Sequence, residues 1–276
     1  MLKKWKKLPL IILIVYFFLM RTKFIILGCG SSFGVPRADG YWGKCNPKVK
    51  KNYRTRCSAF IQSEISNILI DTSPDLRLQL IRNKIKNIDC VIYTHMHGDQ
   101  VHGINDLRVF SLKKNKKIPI YADNYTMNYL KKNFSYCFKD SSSYRAILKL
   151  KKLQKNFLFK KNRKFLNIRS VKVKHGTIYS QSFIINKSCA YISDANKIYK
   201  SDYKFFKKLK YLIIDCLRIK PHPSHFNLND VIELNKILKP QKAILTNLHS
   251  DLDYNFLLKK LPKNIVPAYD GMSSTL

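Results

Sequence analysis

Thr94-His95-Met96-His97-Gly98-Asp99-Gln100-Val101-His102-Gly103 is the stretch on which the reading of this chain turns. It follows the apolar run Asp89-Cys-Val-Ile-Tyr93, so it begins where a buried strand ends and a loop starts. Three imidazoles and one carboxylate fall within eight residues. Histidine and carboxylate are ligands for zinc, manganese or iron. In an extended His-x-His, both rings project to the same side, because strand side chains alternate with period two.

Outward from this stretch, apolar runs and polar strand ends alternate. Phe24–Leu27 reads as a strand entering the turn Gly28-Cys-Gly-Ser-Ser-Phe-Gly-Val-Pro36, which lacks the Gly-Lys-Ser/Thr ending of a P-loop. Cys57–Gln62 and Asn67–Ile70 read as paired strands, the second ending at Asp71, and Pro74 suits the start of a helix reaching Arg82. Asn105–Leu112 reads as helix, Ile118–Ala122 as strand, and Leu166–Lys174 as an alternating strand closed by His175. Ser188–Ser193 ends at Asp194 and Tyr211–Ile214 at Asp215; Asn227–Leu238 is a helix, and Lys242–Leu245 leads into Thr246-Asn-Leu-His249. The basic stretch Lys149–Arg163 fits no type. Ligand-type residues at strand C-termini are where α/β folds place their sites.

At 276 residues, with no linker and no repeat, the chain reads as one domain over residues 20–276 behind a basic and apolar extension, residues 1–19. The apolar run Leu8–Met20 is too short for an ordinary membrane span, and no small-residue cleavage site follows it. The extension therefore reads as an over-extended start or an anchor. Seven scattered cysteines without a Cys-x-x-Cys pair exclude a disulfide framework and a zinc ribbon, and suit a reducing, cytoplasmic compartment. A net charge of +35 favours anionic partners, either nucleic acid or small phosphate esters. Lysine is spread along the whole chain, and the densest runs are Lys113–Lys117 and Lys149–Lys164.

These landmarks, in this order, resemble the metallo-β-lactamase fold. Asp71, His95-x-His97-x-Asp99, His175, Asp194 and Thr246–His249 match its motifs. More narrowly the chain resembles the PhnP-like branch, the phosphoribosyl cyclic phosphate phosphodiesterases. The residues that carry this are Leu27–Arg37, Gly103-Ile-Asn-Asp-Leu-Arg108, Pro221-His-Pro-Ser-His-Phe226 and Tyr269-Asp-Gly-Met272. The resemblance implies an α/β fold: an αββα sandwich of two mixed β-sheets with outer helices. It implies two divalent ions, zinc or manganese, with His95, His97 and His175 on the first, Asp99 on the second and Asp194 bridging. Paired cations about 3.5–4 Å apart lower the pKa of a water and stabilise in-line attack on phosphorus. Asp71 would orient the histidine loop by hydrogen bonds. His225 would give a proton to the leaving oxygen, with His222 beside it as a further catalytic candidate, and Arg108 and Lys220 are candidate phosphate contacts. The plainer reading of both histidines is decoration of a helix start.

The chain departs from the family pattern at two imidazoles. Gln100 stands where His-x-His-x-Asp-His ends, and Asn247 where the last strand ends Thr-His. A histidine follows two residues later in both places, His102 and His249. The second metal position is thus rebuilt by His102 and His249, made of oxygen donors for a harder ion, or empty. Gly40–Cys45 keeps only Cys45, so no structural zinc is expected. The expected activity is metal-dependent hydrolysis of a small or cyclic nucleotide-like phosphodiester. The alternatives are a tRNA 3′-processing nuclease, for which Lys149–Arg163 is the one candidate gripping arm, and a nucleic-acid-binding protein with impaired chemistry. Candidate partners are the small substrate, nucleic acid and a second copy in a homodimer.

Overall fold

The structure, a computed structural model, describes residues 22–276, so the reading of residues 1–19 lies outside the described residues. One seven-stranded sheet has the order β14 (Ser273–Thr275), β1 (Lys23–Gly28), β2 (Ser58–Gln62), β3 (Ile68–Ile70), β4 (Cys90–Ile92), β5 (Ile118–Ala122), β6 (Leu148–Lys152). The other runs β13 (Ile265–Pro267), β12 (Lys242–Thr246), β11 (Tyr211–Asp215), β10 (Cys189–Ile192), β9 (Ile178–Ile185), β8 (Lys164–His175), β7 (Asn156–Lys161). Each sheet is mixed. The first is antiparallel from β14 to β3 and parallel from β3 to β6. The second is parallel from β13 to β10 and antiparallel from there to β7.

The period of two along each strand builds the layers. Phe24 and Ile26 of β1 join Ile168, Ile185 and Ile213 in the core between the sheets. Their neighbours Ile25 and Leu27 face the other way, onto Leu76, Leu80 and Leu107 of the helical layer. On the second sheet Leu212 and Ile214 turn outward to Phe206, Val231, Leu234 and Leu238. Strands buried on both faces must be apolar throughout, which is why they read as uninterrupted runs. The αββα sandwich is the fold.

Local chemistry sets the helix starts. Asn227 caps the Leu228–Leu238 helix by accepting from Asn229 N and Asp230 N, and Asp230 returns a bond from the Asn227 amide at 3.0 Å. The helix expected from Pro74 begins at Leu76, because Ser73 Oγ first accepts from Asp75 N in a turn. The helix expected over Asn105–Leu112 is a 3₁₀ turn, Ile104–Leu107, followed by an α-helix, Arg108–Lys114. Gly103 is required ahead of it: a Cβ there would lie 2.0 Å from Ser73 O. The untyped Lys149–Arg163 segment supplies most of β6 and β7, the outer edges of the two sheets, where lysine discourages strand addition. The Asn124–Asn133 and Tyr254–Lys260 helices and strand β9 were not anticipated. Among the described residues no helix is long and apolar enough to cross a membrane.

The C-terminal segment ties the first turn in place. Asp270 accepts from Cys29 N at 3.1 Å and Thr55 N at 2.8 Å, and Leu248 N donates to Cys29 O at 2.8 Å. The Gly28–Pro36 turn is thereby fixed beside the end of β12.

Candidate metal centre and active site

Parallel strands β3, β4, β10, β11 and β12 all end on one side of the sandwich, and β8 closes there too. The segments leaving these ends carry Asp71, His95, Asp194, Asp215, Asn247 and His175. Asp71 (φ 61°) and Asn247 (φ 60°) adopt left-handed backbone, sharp breaks out of their strands that Asp and Asn tolerate better than most residues. Asp71 is fully buried, and its carboxylate accepts from Thr94 N and Thr94 Oγ1, both at 2.8 Å. That bond pair sets the start of the histidine loop.

His95, His97 and His175 meet at one point. His97 Nδ1 lies 2.9 Å from His95 Nε2 and 3.3 Å from His175 Nε2, with the rings edge to face. Thr94 Oγ1 spends its proton on Asp71, so at 3.1 Å it accepts from His95 Nδ1–H. His175 Nδ1 donates to Ser224 O at 2.7 Å. Both rings therefore turn an unprotonated Nε2 inward, as outer hydrogen bonds do for metal-binding histidines. Burial pushes the His95 pKa down to about 3 and lowers that of His97, with the neighbouring His175 adding to the effect on His97. Three imidazoles whose ring nitrogens converge on one point fit a divalent cation.

A second group overlaps the first. Ligand atoms of His175, Asp194 and His225 lie within 4.8 Å of one another. Burial disfavours charge on Asp194, yet His95, His225 and His175 hold its pKa below the usual carboxylate range. Asp99 sits alongside, raised to about 7 by burial and then by Asp194. The two departures from the family pattern meet at Asp194. Gln100 Nε2 donates to Oδ2 at 3.1 Å and Asn247 Nδ2 to Oδ1 at 3.3 Å. Gln100 Nε2 also reaches Asp99 at 3.1 Å, while Gln100 Oε1 is buried without a partner.

His225 is held from behind. Its Nδ1 donates to Asp215 Oδ2 at 2.7 Å; the same oxygen accepts from Ala195 N at 2.8 Å, and Oδ1 accepts from Asn247 Nδ2 at 3.1 Å. Burial opposes charge on His225, but Asp215 and then Asp194 raise its pKa to about 9. His222 packs on His225 at 5.0 Å between centroids. A cavity of about 350 Å³ is lined by His97, Asp99, His175, Asp194, His222, His225, Asn247 and His249, and by Ser31, Phe33 and Arg218.

The structure does not bring His102 to this centre. Its Nε2 lies 3.3 Å from Tyr129 OH and its ring packs on Phe134. The Gly98–Val101 turn is helical, and two residues along a helix is about 200° around its axis. A side chain two places after Gln100 therefore faces the opposite way. His249 reaches the cavity wall but turns its Nδ1 to Asp251, 3.3 Å away, and joins neither ligand cluster. Arg108 stacks on the Tyr144 ring at 4.0 Å, and neither it nor Lys220 lines the cavity. Arg218 and the role of Asp215 were missed. The signal for Asp215 was its place at a strand end, whereas for Arg218 there was none.

A sandwich of this topology with a strand-end His/Asp centre defines the metallo-β-lactamase fold of metal-dependent hydrolases. The chain belongs to the β-lactamase superfamily, whose domain model matches residues 66–247, and within it is PhnP-like. A solved diphosphatase of the PhnP family is 29% identical with a TM-score of 0.84, covering 93% of this chain and 98% of that one. The short form of human tRNase Z shares the fold, at 15% identity and TM-score 0.65, covering 91% and 98%. An octanoyltransferase of Porphyromonas gingivalis is 28% identical over 256 residues, 91% of this chain and 51% of that protein. The chain thus spans about half the length of this curated relative.

Proposed function

We propose that the protein is a phosphodiesterase for small or cyclic nucleotide-like substrates, working with one divalent cation held by His95, His97 and His175. The observation that carries this reading is the meeting of three converging imidazoles, Asp194 and the Asp215–His225 pair at one cavity. A zinc ion suits three nitrogen donors, and when bound it supplies Lewis acidity toward a phosphoryl oxygen and activates water. Asp99 orients the attacking water and takes up its proton. The water oxygen forms the new bond to phosphorus and the bond to the ester oxygen breaks. His225, gripped at Nδ1 by Asp215, gives a proton from Nε2 to that leaving oxygen. Arg218 and His222 flank the remaining phosphate oxygens.

One ion is proposed rather than two because Gln100 and Asn247, at the two missing imidazole positions, each turn an amide N–H rather than a nitrogen lone pair toward Asp194. The similarity to a PhnP-family diphosphatase supports chemistry at phosphorus. A tRNA-gripping arm finds no support, since its one candidate segment is built into two sheet edges.

The test is hydrolysis of bis(p-nitrophenyl) phosphate and a 2′,3′-cyclic nucleotide by the full chain, with metal analysis. Chelation should abolish turnover and zinc restore it. His97→Ala should lose the ion and more than about a hundredfold in activity, beyond the 10–100-fold that outer partners alone cost. Turnover that survives His97→Ala, or no hydrolysis with any divalent ion, would sink the proposal.

A further inference from the structure

The loop that forms one wall of the catalytic cavity continues outward as a row of alternating rings and cations. Phe33, at the cavity wall, is 64% exposed. The Arg37 guanidinium lies 5.9 Å from its ring and 5.2 Å from that of Tyr41, which is also exposed. Trp42 then meets Tyr53 at 6.5 Å, and Arg82 covers Tyr53 at 5.1 Å. Lys51 closes the row between Tyr254 and Tyr269, at 4.6 and 4.7 Å.

Trp42, Tyr53, Tyr269, Lys50, Lys51 and Arg82 line a separate cavity of about 700 Å³. Gln79 and Asp270 are also at its wall, Gln79 Nε2 committed to Thr55 and Arg56 and the Asp270 carboxylate to Cys29 N and to Thr55 N and Oγ1. Lys44, Lys48, Lys50 and Lys51 are exposed, while the loop's one acid, Asp39, is paired with Arg37. Exposed rings with cations spaced among them are the elements of single-strand recognition, in which bases stack and phosphates find charge. A duplex, whose bases are already stacked, cannot use the rings.

We infer that this row, from Phe33 at the rim of the catalytic cavity to the Trp42–Tyr53–Tyr269 cavity, is a binding track for single-stranded nucleic acid. Binding on this row is independent of the proposed phosphodiesterase reading, whose small or cyclic substrates do not need it. The strand's bases stack on the exposed rings of Phe33 and Tyr41 and at the Trp42–Tyr53 cavity, and its phosphates follow the lysines.

The test is fluorescence anisotropy of the full chain with labelled 12-nucleotide single strands, RNA and DNA, and with the matching duplexes. Single strands of either sugar should bind at least tenfold more tightly than duplexes. Trp42→Ala and Tyr53→Ala should each weaken single-strand binding about tenfold or more, the cost of one lost stacking partner. Because Trp42 is half-buried, Lys50→Glu/Lys51→Glu provides a surface variant expected to weaken binding by the same order. Its charge-matched control is Lys204→Glu/Lys207→Glu, in the basic pocket with Arg169 and Lys187, expected to change binding less than about threefold. Equal weakening by the two charge reversals, or duplex bound as tightly as single strand, overturns the track. Hydrolysis of bis(p-nitrophenyl) phosphate by the unaltered protein reports separately on the phosphodiesterase reading.

Discussion

Replacing Asp215 with asparagine keeps the shape of the side chain beneath His225 and removes its charge. Oδ2 accepts from His225 Nδ1 and Ala195 N, and Oδ1 accepts from Asn247 Nδ2, so all three contacts need an acceptor. An amide supplies one oxygen. Turned toward His225, it sets its NH₂ against that of Asn247; turned the other way, it strands Ala195 N–H. Either outcome leaves a buried donor unpaired, at about 1–3 kcal/mol, and His225 loses a charge-assisted bond worth about 1.5–3 kcal/mol. At 1.36 kcal/mol per decade, the lost bond alone is about ten- to 150-fold in any step that needs the proton held on His225. The effect should depend on the leaving group. A p-nitrophenolate departs without a proton, whereas the alkoxide of a nucleoside does not. We expect Asp215→Asn to lose about a hundredfold or more in kcat with a dinucleoside monophosphate and less than about tenfold with bis(p-nitrophenyl) phosphate. Zinc content should be unchanged. Equal losses on the two esters would refute a proton-donating His225, and loss of zinc would move His225 to the metal.

Two further outcomes follow from contacts near the centre. Restoring both imidazoles with Gln100→His/Asn247→His removes the amides that satisfy Asp194, and bound zinc should rise from about one to about two per chain by metal analysis; an unchanged count would contradict the single-ion reading. Asp75 carries a stability signature, since burial raises its pKa but the bonds from Arg56, at 2.7–2.9 Å, outweigh this and hold it below the usual range. A depressed native pKa stabilises fully above the unfolded value near 3.9 and is lost as pH falls through the native one. Asp75→Asn should therefore cost about 1 kcal/mol in denaturant unfolding at pH 7, with the gap to the parent closing below about pH 3. A gap independent of pH would show that charge is not its source.

What could be read in advance divides along physical lines. Ile118–Ala122 was legible to the residue because Ile118, Ile120 and Ala122 are buried beneath an apolar helix layer. Strand β9 was not, because Ser180, Gln181 and Ser182 are buried within it, Ser182 Oγ bonding Val171 O, and such residues look like a loop. The Lys149–Arg163 edges were opaque because β7 buries only Phe157 and leaves lysines outside. At the site, residues that end parallel strands could be placed, since a strand end fixes both position and direction. Residues whose position depends on a turn could not: His102 was lost to a helical rotation, and Arg218 is held at the cavity because its guanidinium donates to Lys220 O and Pro221 O of the loop that folds back toward His225. The two missing imidazoles show what sequence order conceals. Gln100 and Asn247 look like separate defects of one metal position. In space each gives an N–H to a different oxygen of the same carboxylate. Each turns an N–H, which a cation cannot use, to the side where the family pattern has an imidazole lone pair. Together they set two donors around Asp194 where a second cation would need two acceptors.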